Sequence, residues 1–155
     1  MEVVVSSFLV SVVLVMSLES IGATTRGKSA NSDRARGNKL VHALLDEIVA
    51  QKFEDDVSPV MGPETGEVTG NRTLFDDVDD YNRWYSTPPK KRDGTALTEF
   101  DGWATYVGVY YGKPDNLARL TFRPTEVKKV FVWVAHNGIW LYWGETVVSK
   151  GWVRE

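Results

Sequence analysis

The chain has 155 residues, 43% of them hydrophobic and 25% charged, and a formal net charge of -3, which places it among globular proteins and gives no basic footprint for nucleic acid. It contains no cysteine, so a disulfide framework, a thiolate-held zinc or iron–sulfur site and a thiol nucleophile are excluded. His42 and His136 are its only histidines, too few for a histidine-rich metal site, and no Ser/His/Asp set presents itself, so the sequence reads as a non-enzyme.

The first stretch, Met1 to Leu18, is a nearly unbroken apolar run with Glu2 at its mouth, interrupted only by Ser6, Ser7, Ser11 and Ser17. At ~1.5 Å per residue, Val3 to Leu18 spans roughly 24 Å, short of a ~30 Å hydrocarbon core. Continuing through Glu19, Ser20 and Ile21 to Ala23 completes a span. No Lys or Arg precedes the run, which argues against a cleaved signal. Arg26, Lys28, Arg34, Arg36 and Lys39 follow it, and by the positive-inside rule alone they would hold the C-terminal domain in the cytoplasm. A carboxylate such as Glu2, placed in apolar surroundings, needs a cationic partner.

Gly22, Gly27 and Gly37 among polar neighbours weaken the helix that follows, each costing about 1 kcal/mol relative to alanine. The pattern recovers at Leu40: Leu40, Val41, Leu44, Leu45, Ile48, Val49 and Phe53 make one apolar helical face. Asp46, Glu47, Gln51 and Lys52 fall mostly on the opposite face, and His42 reads as a surface residue. The simplest join is one long N-terminal helix from about residue 3 to 53.

Glu54 to Leu97 is turn-rich, with Pro59, Gly62, Pro63, Gly66 and Gly70 in its first part. Asp76, Asp77, Asp79 and Asp80 follow within five residues. Clustered oxygens invite calcium, although the spacing is not that of an EF-hand loop. The competing reading is that these acids cap turns and face water, with Phe75, Val78 and Tyr81 as anchors. Asn71-Arg72-Thr73 matches a glycosylation sequon, and Lys90 to Gly94 is a charged turn.

From Trp103 the chain reads as antiparallel strands: Trp103 to Tyr111, Leu117 to Arg123, Val127 to His136 and Ile139 to Trp143, with Val147 to Val153 as a short terminal strand. Asn137-Gly138 is a two-residue hairpin turn. A regular ladder from that turn pairs His136 with Ile139 and Trp133 with Tyr142. It puts Val132, Val134, Leu141 and Trp143 on one face, and Phe131, Trp133, Trp140 and Tyr142 on the other. One apolar face should lie on the helix from Leu40 to Phe53. The other should be covered by the acidic middle or by another subunit, or should stack sugars.

The Glu2-led apolar run, its amphipathic continuation and the C-terminal sheet together resemble type IV pilins and type II secretion pseudopilins. Met1-Glu2-Val3-Val4-Val5 looks like the end of the prepilin N-terminal methylation motif. Leu44 to Phe53 and Leu74 to Tyr81 are similar to minor pilins of the mannose-sensitive haemagglutinin type. The resemblance implies an α+β, pilin-like fold: a long N-terminal α-helix, membrane half plus amphipathic half, packed on a C-terminal antiparallel β-sheet. It implies a transmembrane and filament-core helix over 1–23, an amphipathic continuation over 24–53, and a periplasmic head over 54–155, with an acidic loop at 54–100 and the sheet at 101–155. The function implied is that of a structural subunit, a minor pilin or pseudopilin, of a type IV pilus or secretion filament. Its partners would be other pilin subunits, the inner-membrane assembly machinery and, before assembly, lipid, with no nucleic acid. It would be a single-pass bacterial inner-membrane protein, assembled through Glu2 meeting a neighbour's N-terminal amine. The basic leader and glycine of the family are not in this sequence; on the resemblance, either the true start lies upstream or this copy is defective. The alternative is a membrane-anchored extracytoplasmic binding module that uses the aromatic sheet or a calcium-holding acidic loop.

Overall fold

In the computed structural model, which describes residues 2–55, 60–67 and 70–151 and, within the first helix, the side chains of residues 12–19 and 31–49, helical backbone (α1) runs over Glu2–Val49. The chain divides into two compact units, Met1–Arg36 and Gly37–Glu155. In the first unit Val13, Leu14, Val15, Met16 and Leu18 are 55–68% exposed.

The second unit begins with the last turns of α1. Leu40, Val41, Leu44, Leu45 and Ile48 are buried, the i, i+3, i+4 stripe that apolar burial selects; full burial of each such side chain stabilises by about 1.5–3 kcal/mol. The helix closes with Gln51 N–H donating to the Ile48 carbonyl at 3.0 Å. Five strands form one antiparallel sheet: β1 Tyr85–Ser86, β2 Trp103–Lys113, β3 Asn116–Thr121, β4 Val127–His136 and β5 Ile139–Ser149. Their order is β1-β2-β4-β5, with β3 pairing on β2. Two glycines let the helix approach β5. A Cβ on Gly144 would stand 2.5 Å from Val41 Cγ1, and one on Gly37 would stand 2.2 Å from the Tyr142 ring.

The expected fold class needs correction. A long helix with a membrane half, packed on the sheet through its continuation, is not what the chain forms. Its described helical side chains fall in two short stretches, 12–19 and 31–49. Among the described residues no helix is long and apolar enough to cross a membrane. Among the described helical residues, packing against the sheet and its core falls within residues 37–49. The physical reason lies in the preceding residues: Asn31, Ser32, Asp33, Arg34 and Arg36 offer no apolar stripe to bury.

The hairpin register also differs from the regular ladder. His136 pairs with Ile139 and Ala135 with Trp140, but Val134 then pairs with Tyr142 and Trp133 with Trp143. Leu141 is skipped as a bulge. Because side chains alternate with period two, one extra residue exchanges the faces of everything beyond it. Tyr142 therefore turns inward, 6.1 Å from the Trp103 ring. Trp143 turns outward beside Trp133, which faces Tyr106, which faces Tyr85. Of the acidic middle, Phe75, Val78 and Tyr81 join the helix-side core.

Candidate functional site

The helix end is tied to the acidic segment by a polar cluster. Arg72 is 2% exposed and grips Glu47 with both ends of its guanidinium, Nε to Oε1 and Nη2 to Oε2, each at 2.9 Å. A bidentate fork of this kind fixes geometry as well as charge. Tyr81 donates its hydroxyl to Glu47 Oε1 at 3.0 Å. Burial, reinforced by the Glu47 carboxylate, raises the Tyr81 phenol above its ordinary pKa. Arg72 also donates to the Lys90 carbonyl at 3.2 Å, and its guanidinium lies 5.1 Å from the Trp84 ring centre. Arg92 extends the cluster, donating to the Phe75 carbonyl at 2.6 Å and to the Arg72 carbonyl at 3.1 Å. Periodicity alone puts Glu47 on the solvent side of the helix, and sequence alone puts Arg72 inside a sequon. A buried arginine 25 positions away from its acid leaves no local signal.

The Asp run disperses rather than converging on one ion. Asp76 is exposed. Asp77 is buried, and its Oδ1 accepts from the backbone N–H of Asp79 at 2.6 Å and of Asp80 at 3.2 Å. This caps the 3-10 turn Asp79–Tyr81. Burial pushes Asp77 upward in pKa against those bonds. Asp79, 1% exposed, pairs with the fully buried Lys128 at 2.7 Å. Lys128 Nζ also donates to the Phe53 carbonyl and lies 4.1 Å from the Phe53 ring centre. Burial lifts Asp79 to about 6 even so, outweighing the neighbouring ammonium. The capping reading thus describes Asp77, while Asp79 has a cationic partner on β4. The side chain of Glu2 lies outside the described residues.

Asp80 is the member of the run that meets other acids. One carboxylate oxygen each from Glu64, Glu67 and Asp80 lies within 4.8 Å of the others. Asp80 is 1% exposed. Its Oδ2 accepts from the N–H groups of Asp76 at 2.9 Å and Asp77 at 3.2 Å, and its Oδ1 is buried without a hydrogen-bond partner. Burial, aided by the Asp77 and Glu67 charges, pushes its carboxyl up to about 7. Glu64 Oε1 is buried and unpartnered too, and burial together with Glu67 raises the Glu64 pKa. Glu67 accepts from the Glu64 N–H at 3.0 Å. Asp80, Glu67 and Trp84 line a cavity of about 290 Å³, and the Trp84 indole N–H is likewise buried without a partner. The sequence points to Asp80 but not to Glu64 or Glu67. These two sit in a Pro/Gly-punctuated stretch, and only the folding back of that stretch brings them to Asp80.

No protein-family model, curated protein or solved structure matches this chain.

Proposed function

We propose that the chain is a non-enzymatic structural subunit that assembles with other copies or related subunits through its apolar N-terminal helical segment and displays the sheet unit as a head. The observation that carries this is the exposure, at 55–68%, of Val13, Leu14, Val15, Met16 and Leu18. An apolar surface spread around a helix is stable only against lipid or other helices. A filament core supplies the helices, and a bilayer before assembly supplies the lipid. The sequence resemblance to type IV pilins and pseudopilins supports the same reading and names the filament class, a pilus or a secretion filament of the bacterial envelope.

The chain has no cysteine, which gives a direct test. In cells that make the filament, Met16→Cys should cross-link between neighbouring subunits, and Lys113→Cys on the sheet should not. Leu14→Glu should leave the head folded and abolish incorporation. Normal incorporation of Leu14→Glu would overturn the proposal.

A second reading has its own observation. The outward row Tyr85, Tyr106, Trp133 and Trp143 crosses four strands, and such a row suits a binding module with an aromatic platform. In either reading the acidic segment takes calcium as a structural ion of the head rather than as a catalytic one.

A further inference from the structure

We propose that the calcium of the head is held by Glu64, Glu67 and Asp80, where it fastens the 60–67 stretch to the 3-10 turn at Asp79–Tyr81. The inference rests on the reading that the acidic segment takes calcium, and it assigns the site.

The distances fit one ion. Oxygens bound to a single calcium lie ~2.3–2.6 Å from it and therefore no more than about 5 Å from each other. The oxygens of Glu64, Glu67 and Asp80 meet that bound, all lying within 4.8 Å of one another. Three carboxylates drawn this close repel one another unless a cation or shared protons intervene.

The second observation is independent of the clustering. Asp80 is only 1% exposed, and its side chain is half satisfied: Oδ2 is fixed by two backbone N–H groups, while Oδ1 has no partner. Leaving a buried polar oxygen unpaired costs about 1–3 kcal/mol. Asp77 shows how the same segment treats a carboxylate whose role is purely structural, since its Oδ1 takes two backbone N–H groups. Asp79 shows the other solution at its Oδ2, a lysine at 2.7 Å that offsets the charge although Oδ1 is left without a hydrogen bond. Asp80 has no lysine at all and no hydrogen bond at Oδ1, and the groups its carboxylate meets within 4.8 Å are two further acids, Glu64 and Glu67. A hard cation completes such a set, and solvent in the cavity of about 290 Å³ supplies the remaining oxygens that calcium's six to eight ligands require.

The ion has a mechanical consequence. Glu64 and Glu67 belong to a stretch joined to itself by the turn Glu67 N–H to Glu64 carbonyl at 3.1 Å. A calcium ion bridges that turn to Asp80, next to the residue pair that anchors the segment to β4. The ion therefore orders the stretch over Trp84, whose ring lines the same cavity.

The test uses the full chain in detergent micelles, stripped of metal with a chelator and titrated with calcium chloride alone. Wild type should bind one calcium, with a dissociation constant on the order of 10⁻⁴ M, the range of extracellular modules. Its melting temperature should rise by several degrees in millimolar calcium. Glu64→Gln/Glu67→Gln should fold with an unchanged circular dichroism spectrum and lose the calcium-dependent rise. Asp76→Asn should keep it. A double variant that binds calcium as wild type does would overturn the assignment to this site while leaving calcium in the head. A wild type that binds no calcium at millimolar concentration would overturn both, with protons then holding the acids together.

Discussion

The inner face of the sheet and the core of the acidic segment are both buried, and they are held by opposite means. Across β2 and β4 most inward positions are apolar, with Val107, Val130, Val132 and Val134 at 0% exposure and Lys128 the charged exception. In the acidic segment Arg72, Asp77, Asp79 and Asp80 are at 1–2% exposure, and each is placed by a directional bond. Apolar burial is nondirectional and roughly proportional to area, so the sheet tolerates exchanges of similar volume. Buried charge is costly without its partner, so the segment depends on particular pairings such as Arg72 with Glu47 and Lys128 with Asp79. The head therefore combines a forgiving core with an exacting clasp.

The largest effect should come from breaking that clasp. Lys128→Met leaves Asp79 buried without its cation, and urea unfolding should show a loss of about 3–5 kcal/mol. Asp79→Leu/Lys128→Met, which removes both charges, should recover much of it. A loss below about 1 kcal/mol for the single variant would mean that the segment is not held as described. Next in size, Ile48→Ala empties a fully buried site on the helix face and should cost about 2–5 kcal/mol by the same measurement, with no recovery from any single charge removal. The smallest effect belongs to the outer face. Trp143 is 63% exposed, so Trp143→Ser should change stability by about 0.5 kcal/mol or less. If Trp143→Ser approached the cost of Ile48→Ala, the outer face would have to count as core.

The same contrast explains what could be read from the sequence. The apolar face from Leu40 to Ile48, the strand at Val127–His136 and the Asn137-Gly138 turn follow from local periodicity, and the structure has them. Asn137 and Gly138 both take positive φ there, 50° and 78°. The matching of Arg72 to Glu47, of Lys128 to Asp79, and of Glu64 and Glu67 to Asp80 depends on residues far apart in sequence, and charge type alone does not select among many possible partners. The four aspartates read as a single cluster because they are neighbours in the chain. The fold sends Asp77 to a turn, Asp79 to β4 and Asp80 to the cavity. The helix misleads in a different way. Its apolar run and its amphipathic stretch suggest one packed rod, but Asn31 to Arg36 carry nothing for a sheet to cover.

The bulge at Leu141 gives β5 a particular vulnerability to changes in length. Deleting Leu141 would remove the bulge and leave Val134 opposite Tyr142 and Trp133 opposite Trp143, since those pairings already pass over it. Deleting Tyr142 or Trp143 would use up the same extra residue, bringing Leu141 opposite Val134 and keeping Gly144 opposite Val132. Deleting Glu145 cannot be absorbed in this way: either the bulge closes and Gly144 leaves the place where it faces Val41, or the residues after Gly144 exchange faces and buried Val148 turns outward. Along this strand, then, the gene can lose one codon between the bulge and Gly144 without moving that glycine, while loss of a codon just past it turns part of the strand inside out.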